Sequence, residues 1–539
     1  MTAPDRRALG WATALLALLM AVVTFTGPRG LLGGDEGVKL IQAFGVLEHG
    51  LDDPWLPYPA AVFDPEEANH PVVEPHVVRH HGHRYGIYPI TFTAPSAVAW
   101  WAGGFWALHL LPLLGGVLTV AMTMRLALLV TGDRRWAVAA GVALTASTPL
   151  VVYAALFNEH APGVGLFMAG VVGCATAETR RGQLAAGALL GLAATLRGEL
   201  LAAAPAMAWF AVAGHGWRRA TIRRVAWIVV GALIVLAAFC AYNAVTTGAA
   251  LPGVTANRLA NRPASRMMML SLLYPRGLAD VPPPMALLLA TVAVGGLALW
   301  RPTPRAWPWC GAILIGLWCW YAAVALAQVP DHARTATGLF ATTPFLVAGA
   351  LVGLAPADER RRWLIAVVGA AILLTVAVVV TDADGQAGGL QFGARHLLAA
   401  VPLFTVGAVA VVRAAPRWFA GAMAVPVALA LWATAVNLGA WHHIAGTNQR
   451  LTAAAARSPS KDLCSSFFWV PEVLAPLWME RRISMDRDMT VPLVRMRRAG
   501  VTEITRVSGG LAQQLREGRV KPIETLDAAG DVVRYRLVF

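Results

Sequence analysis

Long apolar runs recur along most of this chain and give out near residue 440. Each has about the 20 residues a helix needs to cross the roughly 30 Å hydrocarbon core of a bilayer. Lipid offers no partners to backbone N–H and C=O groups, so such runs must be helical. Spans are expected near 8–26, 106–130, 136–156, 160–178, 183–196, 199–214, 225–247, 284–300, 309–328, 336–355, 363–380, 396–412 and 417–440. That makes about thirteen by hydropathy and loop charge. Residues 92–104 are apolar but short and contain Pro95, and are expected only to re-enter or to lie at the interface. Arg6 and Arg7 ahead of the apolar run 15–23 imitate a signal peptide, yet no clear small-residue cleavage site follows, so a retained first helix is expected. Residues 27–91 form a long polar stretch. Beyond 441 the pattern becomes mixed, with candidate strands at 465–470 and 532–539 and a helix-like 491–499 leading into 502–507. The expected fold class is an all-α polytopic membrane protein: a membrane domain over 1–440 with a large first external loop at 27–91, and a small C-terminal α/β domain over 441–539.

Composition agrees. The chain is 57% hydrophobic and 14% charged, against about 25% charged in soluble proteins. Its formal net charge of +14 does not indicate nucleic-acid binding, because most basic residues sit in short loops between apolar runs. With the N-terminus in the cytoplasm, the cytoplasmic loops become Arg134-Arg135, Arg180-Arg181, Arg218 to Arg224, Arg301 to Arg305, Arg360 to Arg362 and Arg413 to Arg417. All are basic. The opposite loops hold Asp35-Glu36, Glu159-His160, Arg197 with Glu199, Asp331-His332, Asp382 with Asp384, and Arg395-His396. One external loop, with Arg258, Arg262, Arg266 and Arg276, goes against the trend. The alternation implies a multi-pass protein with its N-terminus in the cytoplasm and its C-terminal domain outside, and the absence of any N-x-S/T sequon together with the arginine- and alanine-rich composition fits a bacterial inner membrane. Among five cysteines, Cys464 stands alone in the tail, and no disulfide framework or CxxC pair is visible.

Ionisable groups at the ends of membrane helices are costly to bury and invite a functional reading. Asp35 and Glu36 lie in Gly33-Gly34-Asp35-Glu36-Gly37. Neighbours on a helix do not face each other, so at most one points into a site and the other points aside or caps. A carboxylate near an apolar surface can act as a base. His83-Arg84-Tyr85-Gly86-Ile87-Tyr88-Pro89 offers either a phosphate clamp, since a guanidinium grips phosphate with paired hydrogen bonds, or an aromatic-basic interface belt. His70, His76, His80, His81 and His83, near Glu74, fit no zinc spacing and read as a histidine-rich wet loop. Arg197 and Glu199 break an apolar run and can be a helix-end ion pair. Asn158 caps a helix start, which leaves Glu159 and His160 to be explained. In Gly388-Gly389-Leu390-Gln391-Phe392-Gly393-Ala394-Arg395-His396-Leu397 the arginine can meet an anion or snorkel.

These motifs, in this order, resemble the GT-C superfamily of membrane glycosyltransferases, in particular its branch of protein O-mannosyltransferases and aminoarabinose transferases. In that family the first external loop opens with an acidic pair, as Asp35-Glu36 does, and closes with a G-R-Y-Y-x-x-Y-P-P-like stretch that 82–89 resembles. Asn158-Glu159-His160 is similar to the family's W-E-H-like helix start. Leu196–Glu199 is similar to its L-R-P-E-like turn, with Gly198 in place of proline. The stretch 388–397 matches a G-G-x-Q-x-G-x-R-Y-L entry, with His396 in place of tyrosine. The likeness covers roughly residues 1–440 and leaves the tail unassigned.

The resemblance implies an inverting transfer of a sugar from a polyprenyl-phosphate donor to a hydroxyl of a glycan, lipid or protein at the outer face of the membrane. Asp35 would deprotonate the acceptor, with Glu36 as second carboxylate. Arg84, Tyr85, Tyr88, Arg395, Lys39 and Arg197 would bind the donor phosphate. Glu159, His160, Gln391 and His396 would bind substrate. No cofactor is firmly expected: some relatives use a divalent metal, but no ligand spacing here supports one. Two rivals remain. A transporter or flippase of envelope precursors is disfavoured by the long first loop and the lack of inverted repeats. A non-catalytic envelope assembly protein would use the tail for binding.

Overall fold

The computed structural model describes residues 3–74, 76–251, 287, 289–291, 293–294, 297, 307–327, 338–352, 359–381, 392, 395–467, 469–485, 490–508 and 511–538. Helix α1 (Ala3–Thr26) is followed by α2 (Gly34–His49), the strands β1 (Val77–His80) and β2 (His83–Gly86), and α3 (Ile90–Leu108). Next come α4 (Leu110–Thr131), α5 (Arg134–Ala146), α6 (Leu150–Ala155), α7 (His160–Thr176), α8 (Arg180–Leu196), α9 (Ala204–His215) and α10 (Arg219–Thr247). Further along lie α11 (Trp307–Ala327), α12 (Leu339–Thr342), α13 (Glu359–Thr381), α14 (Ala400–Ala414), α15 (Arg417–Ala422) and α16 (Ala424–Ala456). The tail contains β3 (Asp462–Ser465), α17 (Val470–Val473), β4 (Arg482–Met485), α18 (Thr490–Arg498), β5 (Glu503–Val507), α19 (Ala512–Arg516), β6 (Val520–Thr525) and β7 (Val532–Leu537).

Six helices among the described residues are long and apolar enough to cross a membrane: Pro4–Thr26, Leu110–Thr131, Arg219–Thr247, Trp307–Ala327, Arg360–Val379 and the nearly continuous Arg417–Ala456. The chain is a multi-pass membrane protein. Other expected spans are shorter or broken. The 136–156 run splits into α5 and α6 at Ser147-Thr148-Pro149, where proline cannot supply an N–H to continue the ladder. The 199–214 run begins as a 3-10 turn (Gly198–Ala203), and 336–355 folds into α12 and a 3-10 turn (Pro344–Ala350). Residues 92–104, expected to re-enter or to lie at the interface, belong to the 19-residue helix α3, which is not among the helices long and apolar enough to cross a membrane. Pro95 is accommodated inside it, and the kink falls at Gly103-Gly104, with Gly104 at φ 58°. Most of the 284–300 span and the basic loop with Arg258, Arg262, Arg266 and Arg276 lie outside the described residues.

The chain divides into two compact units. The first comprises 1–26, 109–239 and 255–440. Its helices approach through small residues, the usual solution where lipid gives no hydrophobic drive to helix pairing. A Cβ on Gly165 of α7 would collide with the carbonyl of Gly115 in α4, and one on Gly187 of α8 with the carbonyl of Ile228 in α10.

The second unit comprises 27–108, 240–254 and 441–539. Its tail forms a mixed five-stranded sheet of order β4-β3-β5-β7-β6. Strand β3 pairs in parallel with β4 and β5, while β7 pairs antiparallel with β5 and β6. The expected strand at 465–470 lies a few residues earlier, because 470–473 turn into α17. Strands β1 and β2 close through His81 and Gly82, both at positive φ, as a two-residue hairpin turn requires.

The first loop is tied to later chain. Gln449 Oε1 accepts the Arg29 N–H at 2.8 Å, and Asn448 Nδ2 donates to the carbonyls of Leu31 and Leu32. Trp478 Nε1 donates to Pro57 O at 2.7 Å. Asp64, with 0% exposure, accepts from Tyr58 Oη at 2.9 Å, from the Ala68 and Asn69 N–H groups, and from Arg495 of α18. A buried carboxylate is stable only when its lone pairs are so engaged. Removing it strands a guanidinium and a phenol, so Asp64→Ala is expected to cost about 3 kcal/mol, read as a lowered thermal unfolding midpoint in detergent. Glu66→Ala, which removes an exposed partner of the same Arg495, is expected to cost under about 1 kcal/mol. Equal losses from the two would overturn the buried clamp.

Candidate functional site

The first expected cluster gathers along α2. A helix N-terminus carries unpaired N–H groups and favours negative charge, and the first turn of α2 holds Asp35 and Glu36. At 3.6 residues per turn, Asp35, Lys39 and Gln42 share one face, Gly34 and Gly37 share another, and Glu36 lies between. The two acids therefore diverge. Glu36 is buried, and its Oε2 accepts the Leu32 N–H, which closes the helix start. Asp35 keeps its side chain 45% exposed.

The Asp35 stripe faces Tyr88. Tyr88 Oη donates to Asp35 Oδ1 at 2.7 Å and lies 3.3 Å from His76 Nδ1. Lys39 Nζ stands 4.6 Å from the Tyr88 ring centre, a cation–π distance. Gln42 Nε2 donates to the Tyr88 carbonyl at 2.9 Å. Burial holds the His76 imidazole below its ordinary pKa, with Lys39 acting in the same sense and Asp35 against. At neutral pH the ring is uncharged, and Lys39 is the cation of this cluster.

The glycine face of α2 receives the tail. A Cβ on Gly37 would collide with the backbone carbonyl of Glu472, and one on Gly34 with its Oε2. Glu472, on α17, is 1% exposed, and Oε2 has no hydrogen-bond partner among the described residues. Burial, aided by the charge of Asp35, pushes this carboxyl up to about 8. Glu472 is not among the residues expected from the motifs, although the sequence carries a signal for it: it is the only charge in the apolar run 467–478.

Arg84 and Tyr85 face elsewhere in this unit. Arg84 donates through Nε to Glu67 Oε2 at 2.7 Å, and through its other nitrogens to the carbonyls of Glu67 and Val72. Tyr85 donates to Asp53. Both hold the loop rather than join the Asp35 stripe. Of the histidines, His70 is buried beside Tyr58, while His80 and His81 contact each other. Among the described residues no group of three or more His, Cys, Asp or Glu side chains is placed to hold a metal ion.

The remaining expected residues gather in the other unit around Arg197, which ends α8 in an extended conformation (φ −133°). Its Nε donates to Glu199 Oε1 at 2.7 Å. One terminal nitrogen reaches Glu159 Oε1 at 3.3 Å and His160 Nε2 at 2.8 Å, and the other lies 3.4 Å from His396 Nδ1. Arg395 Nε donates to His396 Nε2 at 3.2 Å. Asn158 Oδ1 caps the His160 N–H at 3.0 Å, and the His160 ring stacks on Tyr153. Three sequence motifs thus converge on one guanidinium, whose planar fork of donors suits several partners at once. Gly163 gives the Arg197 stem room. Gln391 lies outside the described residues.

No family model and no curated protein matches the chain. Among solved structures it is similar to ArnT from Cupriavidus metallidurans in the apo state, with 15% identity and a TM-score of 0.48 over 99% of this chain and 98% of that one. The same protein bound to undecaprenyl phosphate gives 15% identity and a TM-score of 0.47, over 98% of each chain. The archaeal oligosaccharyltransferase AglB from Archaeoglobus fulgidus, in complex with an inhibitory peptide and a dolichol-phosphate, gives 13% identity and a TM-score of 0.46 over 94% of this chain and 70% of that one.

Removing Arg197 leaves Glu159 and Glu199 buried without their shared cation. Arg197→Met is expected to cost about 3 kcal/mol of stability. Arg197→Lys should recover only part, since an ammonium cannot span the same set of acceptors. Thermal unfolding of the purified variants checks this, and a wild-type midpoint for Arg197→Met would overturn it.

Proposed function

We propose that this chain is an inverting glycosyltransferase that moves a sugar from a polyprenyl-phosphate donor to a hydroxyl acceptor. Its working side would be the outer face of a bacterial cytoplasmic membrane, with the N-terminus inside and residues 441–539 outside. The basic loops on one side of the alternation support that orientation. The observation that carries the activity is the division of the acidic pair on α2: Glu36 closes the helix start, while Asp35 stays accessible and is oriented by Tyr88. An accessible, ionised and fixed carboxylate is what a general base requires.

In the proposed reaction the acceptor oxygen attacks the anomeric carbon as its proton passes to Asp35. The bond from that carbon to the phosphate oxygen breaks on the opposite side, which inverts the centre, and polyprenyl phosphate departs. The leaving phosphate calls for positive charge fixed in advance, and Lys39 on the Asp35 face is the cation proposed for it. In the other unit the motif resemblance assigns anion binding to Arg395 and Arg197, and sugar binding to Glu159, His160 and His396. Gln391 keeps its substrate role on the motif alone. Arg84 and Tyr85 are reassigned to holding the loop, on the partners given above.

The test is turnover of radiolabelled polyprenyl-phosphate sugars by the purified protein, with membrane extract as acceptor source. Asp35→Asn is expected to lower turnover by roughly 100-fold or more at an unchanged unfolding midpoint. Glu36→Gln should instead lower the midpoint, with the smaller effect on rate. Full turnover by a folded Asp35→Asn protein would remove Asp35 from the role of base.

A further inference from the structure

The Asp35 cluster contains a carboxyl that the proposed reaction does not use. Glu472 reaches α2 from the tail, outside the segment that the motif resemblance covers, and seats its side chain against the first turn. Two effects compete there. The N-terminal end of a helix modestly favours an anion. Burying a charge without a compensating partner costs more, and Oε2 has no hydrogen-bond partner among the described residues. Burial wins, and the nearby Asp35 charge adds to it.

The surroundings do not reverse that balance. On α2 the ionisable groups of the first turns are Asp35, Glu36 and Lys39, and Lys39 lies toward Tyr88. On the strands packed near α17, Asp462 of β3 and Arg482 of β4 pair with each other at 2.6 Å. On α16, Arg450 donates to Thr447, and just past the end of that helix Arg457 donates to the Leu526 carbonyl.

We propose that Glu472 is a positioning residue for Asp35: it fills the glycine face of α2 with an uncharged carboxyl, so that the pair carries one negative charge and that charge stays on the exposed Asp35. The inference rests on the transferase reading. It gives the C-terminal domain a part in the chemistry, because the state of the base then depends on a residue of the tail.

The pH consequence has a definite sign. Below about 8 the Glu472 carboxyl is neutral, and above it a second charge enters beside Asp35. Two like charges in one small volume repel. The charged Glu472 disturbs the turn that aims the base, so turnover should fall on the alkaline side.

The experiment uses the full-length protein and two readouts. The first is the pH profile of polyprenyl-phosphate-sugar turnover for wild type and Glu472→Gln. Glutamine fixes the uncharged form, so Glu472→Gln should turn over donor at neutral pH and lack the alkaline limb that wild type shows near 8. An unchanged alkaline limb in Glu472→Gln, or loss of neutral-pH turnover in a protein with the wild-type unfolding midpoint, overturns the proposal. The second readout needs no substrate: the infrared C=O stretch of a protonated carboxyl, followed against pH. It should be lost in Glu472→Gln, and its midpoint should move to lower pH in Asp35→Asn. A band indifferent to Asp35→Asn also overturns the proposal. Absence of turnover by wild type with every donor would instead overturn the transferase reading, and the infrared titration would still judge the coupling of the two carboxyls.

Discussion

The close approach of α17 to the first turn of α2 is the constraint on which the candidate site depends. A side chain at 37 would collide with the Glu472 backbone carbonyl, and one at 34 would displace the Glu472 carboxyl from where it sits. Two glycines three residues apart make that approach possible and fix which face of α2 is covered. The helical period then dictates the rest. With 34 and 37 covered, Asp35 and Glu36 must diverge on the remaining surface, and Lys39 and Gln42 fall in line behind Asp35. A glycine-flanked acidic pair thus carries packing information as well as chemistry.

The other unit solves a different problem. Arg197, Glu159, Glu199, His160 and His396 are all removed from water. A buried ion cluster adds little net stability over an apolar core, because desolvation offsets most of the attraction. What it provides is geometry, since each partner has one place from which it reaches the same guanidinium. The contributing segments are separate in sequence, and the cluster fixes them relative to one another inside a bundle whose other buried side chains are mostly apolar.

Legibility in the sequence followed the range of the interactions. Helices α1, α4, α10, α11 and α13 were readable because length and apolarity are local properties. The break at Ser147-Thr148-Pro149 was also locally encoded but lay inside a run that hydropathy averages as one. Glu159, His160 and Arg197 stood out as ionisable groups at the ends of apolar runs, the resemblance supplied roles for them and for His396, and their convergence could not have been read from spacing. Arg84 and Tyr85 sat in a motif that suggests an anion clamp, yet their partners Glu67 and Asp53 are ordinary polar-loop residues with no periodic tie to them. Glu472 was a visible anomaly, a lone acid in an apolar stretch, but its counterpart on α2 belongs to the opposite end of the chain. Asp64 gave no signal at all: one carboxylate in a polar loop looks like any other until its donors are known.

The Asp64–Arg495 contact joins residues 431 positions apart. Pairings of such separation form late in folding, after the loop-closure entropy of everything between them has been overcome. The segment 27–91 therefore gains its enclosed shape only once α18 has joined it, and a change at Arg495 is felt at Asp64, 431 positions away.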